Sequence, residues 1–142
     1  MQELLPEEEY WDIADSADFM DAFDKYQEQC ASEFAFYPGF LIYPALGLAG
    51  EAGEVVEKVK KLIRDDEMPL DENFNTSDID PEKRQAIAYE LGDVMFYIAM
   101  IADDIDYTLG EIAEMNLQKL ADRKERGHLR GSGDNRWGCC LT

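Results

Sequence analysis

Histidine is almost missing from this 142-residue chain: His128 stands alone near the C-terminus, without a partner motif, and reads as a tail residue. No triad-like set is available for nucleophilic catalysis by Ser or Cys. Cysteine occurs three times, at Cys30, Cys139 and Cys140, an odd number without framework spacing that points to a reducing compartment. Cys139-Cys140-Leu141-Thr142 resembles a prenylation box only loosely and lacks a polybasic stretch directly before it. No apolar run of membrane length and no signal-peptide pattern stand out, so a cytoplasmic protein without membrane contact is expected. Positive charge is scarce too, 13 Lys and Arg against 32 Asp and Glu, for a net charge of −19. Such a surface repels nucleic-acid polymers and anionic membranes, and an anionic small molecule would need local help from metal or clustered cations. The apolar content of 46% nevertheless excludes a disordered chain, and the length suits one domain with a real core.

Alternation with period two is also lacking, as are internal repeats and low-complexity tracts. What is present is helical periodicity, and it predicts an all-α fold, a four-helix bundle spanning residues 16–127. Residues 1–15 form an acidic arm in this reading and 128–142 an irregular tail. The first helix runs from Ser16, its cap, to Ser32, with Phe19, Phe23, Tyr26 and Cys30 in a stripe. Phe34 to Phe40 interrupt the pattern with a turn at Pro38-Gly39, and their aromatics either plug one end of the core or offer a stacking surface. The second helix runs from Pro44 to Arg64 on the stripe Leu48, Ala52, Val55, Val59 and Leu62. A polar loop, Asp65 to Asp80, leads to Asp80-Pro81, a cap with proline in the first turn. The third helix continues to Ile105 on a seam of Ile87, Leu91, Val94, Ile98 and Ile101. Thr108-Leu109-Gly110-Glu111 is a capping box opening a fourth helix to Arg126, with Gly127 as its stop and Ile112, Leu117 and Leu120 facing the core.

Two carboxylate pairs conflict with those stripes. Glu51 falls within the apolar stripe of helix two, and Glu54 lies one turn on. Glu90 and Asp93, in line with Tyr97, run beside the seam of helix three. Acids at i, i+3 repel each other, and two such pairs facing inside a bundle repel more strongly. A divalent cation resolves the conflict, and four hard oxygen donors favour Mg²⁺, with Mn²⁺ as the alternative. Taken singly, each acid in so acidic a chain reads equally as an ordinary surface group.

Gly50-Glu51-Ala52-Gly53-Glu54-Val55-Val56-Glu57 followed by Glu90-Leu91-Gly92-Asp93 resembles the paired acidic motif of the MazG-like nucleotide pyrophosphohydrolases. Related groups are the dCTP pyrophosphatases and dimeric dUTPases. Tyr43 to Leu48, Lys58 to Lys61, Asn116 to Arg123 and the Gly131-Ser132-Gly133-Asp134 tail extend the likeness over roughly Phe23 to Arg136. It implies that Glu51, Glu54, Glu90 and Asp93 are both the catalytic centre and the Mg²⁺ ligands. The implied reaction cleaves a nucleoside triphosphate between its α and β phosphates. Glu57 reads as a general base or a surface acid, and Tyr97 as a sugar contact or a core residue. Lys61, Asn116, Lys119 and Arg123 are the substrate-binding candidates, since a triphosphate needs cationic donors besides the metal. Two departures stand out: Gly50 occupies a position that is often acidic, and the stretch from Glu54 to Glu90 is longer than usual. An alarmone substrate on the same scaffold and a non-catalytic acidic interaction module are the competing readings. Surplus apolar residues such as Met95, Phe96, Met100 and Met115, together with the family's habit, lead one to expect a homodimer or homotetramer.

Overall fold

The computed structural model describes residues 17–65, 67, 68, 70–73 and 79–125, and of residues 17–21 the backbone alone. The expected arm, the Ser16 cap, the Phe19 side chain, the Arg126–Gly127 stop and the tail lie outside the described residues. Among those described, every regular element is helical, as the periodicity predicts. The elements are α1 (Ala17–Gln29), a π-helical turn (Cys30–Phe34), α2 (Ile42–Arg64), α3 (Pro81–Asp104) and α4 (Leu109–Glu125). They belong to two compact units, Tyr26–Tyr107, and Met1–Lys25 with Thr108–Thr142.

In the unit Tyr26–Tyr107, α2 packs along α3, and the π-helical turn also lies against α3. Cys30, Pro44, Leu62, Ala99, Met100 and Ala102 are buried. The helical path after Gln29 therefore outlasts the expected end at Ser32, in the wider π geometry. Helix α2 begins at Ile42, two residues ahead of the expected Pro44, because a proline in the first turn forfeits no intrahelical hydrogen bond.

The entry to α2 is strained. Leu41 has φ 56 and ψ −43, and the Ile42 amide donates to the Phe40 carbonyl at 2.5 Å, closing a γ-turn of the rare positive-φ kind. The Leu41 amide donates to Asp104 Oδ2 at 2.6 Å, which ties the strained residue to the end of α3. The aromatics just before it do not plug the core: Phe36 is 87% exposed, with Phe34 and Phe40 also outward. Tyr37 alone finds a stacking partner, Tyr43, at 4.8 Å between ring centroids.

Helix α3 opens as expected, with Asp80 Oδ1 accepting from the Glu82 amide and Pro81 in the first turn. It closes with Asp106 in the left-handed region at φ 60. The Asp106 amide reaches the Asp103 carbonyl at 3.1 Å and the Tyr107 amide the Ala102 carbonyl at 3.0 Å, the paired bonds of a Schellman cap. The Tyr107 carbonyl then accepts from Nε2 of the buried Gln27 at 2.9 Å.

The seam of α3 keeps Ile87, Val94 and Ile101, which are half-buried as expected, but Leu91 and Ile98, also assigned to the core, are exposed, and Glu90 and Tyr97 are half-buried with Met100 buried. On α2, Leu62 is buried and Leu48, Val55 and Val59 are half-buried, but Ala52 is exposed. By length and composition alone α3 is apolar enough to cross a membrane, contrary to the sequence expectation. Its central Glu90 and Asp93 would be costly in hydrocarbon, and one face of the helix packs along α2 while Leu91, Met95 and Ile98 stay exposed.

In the second unit the capping box of α4 forms both of its bonds. The Glu111 amide donates to Thr108 Oγ1 at 3.1 Å and the Thr108 amide to Glu111 Oε2 at 2.8 Å. Asp24 Oδ1 accepts from the Gly110 amide at 3.0 Å, so a third donor at this helix start is satisfied. Leu120, expected in the core, is exposed, while Ile112 and Leu117 are half-buried and Leu109 is buried. Thr108→Ala is expected to cost about 1 kcal/mol, within the ~0.5–2 kcal/mol of lost N-caps, in urea denaturation, with Thr108→Ser close to the parent.

Candidate metal centre

Three carboxylates from two helices meet in the unit Tyr26–Tyr107. Glu51 and Glu54 sit one turn apart on α2, and Glu90 comes from α3; each offers a carboxylate oxygen within 4.8 Å of the others. The spacing of three residues puts Glu51 and Glu54 on one helical face, and the packing of α2 along α3 brings Glu90 to it. Glu51 and Glu90 are half-buried and Glu54 is exposed.

The arrangement holds uncompensated negative charge. Desolvation raises the Glu51 carboxyl above its ordinary range, and the charges of Asp93, Glu54 and Glu90 raise it further. Asp93 is outside the set of three by distance, yet its field falls on Glu51. Lys58 offsets part of the negative charge, with Nζ 3.1 Å from Glu90 Oε1. Convergent hard oxygens with surplus charge fit Mg²⁺ or Mn²⁺ on donor chemistry.

The aromatic surroundings are equally specific. Tyr97 of α3 lies so close to Gly47 of α2 that a Cβ built there would clash with the ring, 2.7 Å or less from three of its atoms. With the Tyr97 ring in this position, position 47 has no room for a side chain. The Tyr97 hydroxyl is raised above the ordinary tyrosine range by desolvation, then by Tyr43 and Glu51. Tyr97 is therefore a half-buried neighbour of both the carboxylates and the Tyr37–Tyr43 stack. In the sequence Gly47 stands within the stretch from Tyr43 to Leu48, and a glycine one turn before Glu51 is the signal there for tight packing.

The remaining candidates divide between the units. Lys61 lies on α2 and pairs with Glu57 at 3.3 Å. That bond, first, and the charge of Lys61 hold the Glu57 carboxyl below its ordinary range. Glu57 is exposed and stands outside the three converging carboxylates, which favours the surface-acid reading. Asn116, Lys119 and Arg123 lie on α4 in the other unit, Asn116 exposed and the two cations half-buried.

Residues 44–128 match the family described as the MazG nucleotide pyrophosphohydrolase domain. The chain belongs to this family. The MazG match takes in both acidic motifs, the Gly47–Tyr97 contact and all of α4. The chain is also similar to the Gene 37 protein of Mycobacterium phage L5, with 43% identity over 114 residues, covering 75% of this chain and 92% of the relative. No solved structure matches it.

Proposed function

We propose that this MazG-family chain is a Mg²⁺-dependent pyrophosphohydrolase that cleaves nucleoside or deoxynucleoside triphosphates between the α and β phosphates, releasing monophosphate and pyrophosphate. The convergence of Glu51, Glu54 and Glu90 carries the reading, because an acidic cluster with surplus charge is suited to a hard cation that meets phosphate oxygens. These three carboxylates would hold the ion, with Asp93 one turn beyond Glu90. When bound, it supplies positive charge at the phosphoryl oxygens and lowers the pKa of a water nucleophile. Glu51 and its neighbours fix the position of that charge, and their own repulsion is relieved as it arrives. Tyr97, beside Glu51, is the proposed sugar contact. Lys61, Asn116, Lys119 and Arg123 are the proposed phosphate and sugar contacts.

The test is a panel of common and modified NTPs and dNTPs, with Mg²⁺, with Mn²⁺ and with EDTA, followed by release of monophosphate and pyrophosphate. Metal-dependent formation of both products upholds the reading, and the best substrate names the base. Inactivity on the whole panel together with a Mg²⁺-induced rise in melting temperature redirects the site to alarmones. Inactivity without such a rise leaves the non-catalytic module.

A homo-oligomer is part of the proposal. Leu91, Met95 and Ile98 form an outward stripe on α3, and Leu46 and Val56 are exposed on α2. Sedimentation at micromolar concentration is expected to give more than one chain per particle, and a monomer would refute this part.

A further inference from the structure

Lysine is scarce in this chain, yet three lysines line one cavity. Lys58 and Lys61 of α2 and Lys83 of α3 surround a space of about 220 Å³ floored by Leu62, Ala86 and Ile87. Asp65 and Glu67 also line it, with Asp65 held by Arg64 at 2.6 Å and Glu67 by Lys83 at 3.2 Å. The space is smaller than the ~300–1,000 Å³ of pockets for organic ligands and suits a small ion.

Lys58 belongs to both this cavity and the carboxylate cluster. Its ammonium lies 3.1 Å from Glu90, whose side chain is 14% exposed. A divalent ion on Glu51, Glu54 and Glu90 needs the same oxygen charge that Lys58 neutralises. Two cations on one carboxylate repel, so occupancy by the ion weakens the hold on Lys58. Its flexible stem then leaves the ammonium at the cavity it already lines. The pairs Lys61–Glu57 and Lys83–Glu67 are about half-exposed and weak, so both lysines can exchange a carboxylate for another anion.

We propose that Lys58 is an exchangeable counter-ion of the metal centre, and that the cavity formed with Lys61 and Lys83 takes a tetrahedral phosphate anion once a divalent cation has displaced Lys58 from Glu90. The inference rests on the metal-dependent reading above and adds to it a second site, sharing Lys58 with the first, whose anion affinity is set by the first. By linkage the coupling is reciprocal: phosphate in the cavity strengthens divalent binding.

Isothermal titration tests both halves. Mg²⁺ is titrated into phosphate-free protein, and inorganic phosphate into protein with and without saturating Mg²⁺. Lys58→Met is expected to bind Mg²⁺ severalfold more tightly than the parent, because the competing cation is gone, and to lose the Mg²⁺ effect on phosphate. Lys83→Met is expected to weaken phosphate about tenfold, as for one charged hydrogen bond, with Mg²⁺ affinity unchanged. Unchanged or weaker Mg²⁺ binding in Lys58→Met overturns the exchange. Phosphate binding that is Mg²⁺-dependent but insensitive to Lys83→Met overturns the cavity, since the anion then sits on the metal ion. No Mg²⁺ binding by the parent sinks the metal reading and the exchange together, while phosphate binding still lost in Lys83→Met retains the cavity. An α,β-methylene deoxynucleoside triphosphate identifies the source of the anion. Weakening of this probe by Lys83→Met assigns the cavity to an outer phosphate of the nucleotide, and weakening of inorganic phosphate alone assigns it to a free anion.

Discussion

Glu54→Gln and Asp93→Asn are each expected to reduce metal-dependent pyrophosphate release by at least about 10²-fold, the range for removing one group that stabilises transition-state charge. Their effect on the metal-free protein has the opposite character. Glu54 and Asp93 both push up the Glu51 carboxyl by like-charge repulsion, so neutralising either relieves a native-state cost. In EDTA the variants are expected to melt at or above the parent temperature, and the Glu51 pKa, followed by carbon NMR, is expected to fall toward its ordinary value. The Mg²⁺-induced rise in melting temperature is expected to shrink or vanish. Loss of activity with a lowered melting temperature in EDTA would instead mark the two acids as structural and count against a metal role.

Gly47→Ala is expected to destabilise the fold by about 1–3 kcal/mol, the cost of overpacking, in urea denaturation. The added methyl has no room beside Tyr97, whose ring atoms lie within 2.7 Å of its place. Either the ring rotates away or α2 and α3 separate, and separation pulls Glu51 and Glu54 of α2 away from Glu90 of α3. Activity is therefore expected to fall even where the protein stays folded. The double variant Gly47→Ala with Tyr97→Ala makes the cause visible. Removing the ring opens the space that the methyl needs, so the double variant should be less unstable than the sum of the singles, a coupling of about 0.5–3 kcal/mol for residues in contact. Additive losses would place the cost of Gly47→Ala elsewhere than on Tyr97.

The chain's own sequence determined the elements that rest on local chemistry. Asp80-Pro81 starts α3 and Thr108 with Glu111 starts α4, because each cap is a hydrogen bond between residues two or three apart. The two acidic motifs were legible for the same reason: spacing along a helix fixes which side chains share a face. Three of the four expected ligands converge, and Asp93 adds its charge to Glu51.

Tertiary structure decided which face meets which. The stretch from Ala86 to Ala102 is apolar around most of its circumference, so periodicity could not distinguish Leu91 and Ile98 from Glu90 and Tyr97 as the residues turned toward the core. Gly47 supplied the missing constraint, since a residue without a side chain lets the Tyr97 ring approach, and that contact helps set the rotation of α3 on α2. The Lys58–Glu90 pair, the Asp104 bond to the strained Leu41 amide and the outward aromatics before α2 were likewise beyond reach of the sequence. Each joins residues more than 30 positions apart or turns on a residue's exposure after packing. Spacing specifies neighbours within one helix, whereas only the packing of two helices specifies neighbours between them.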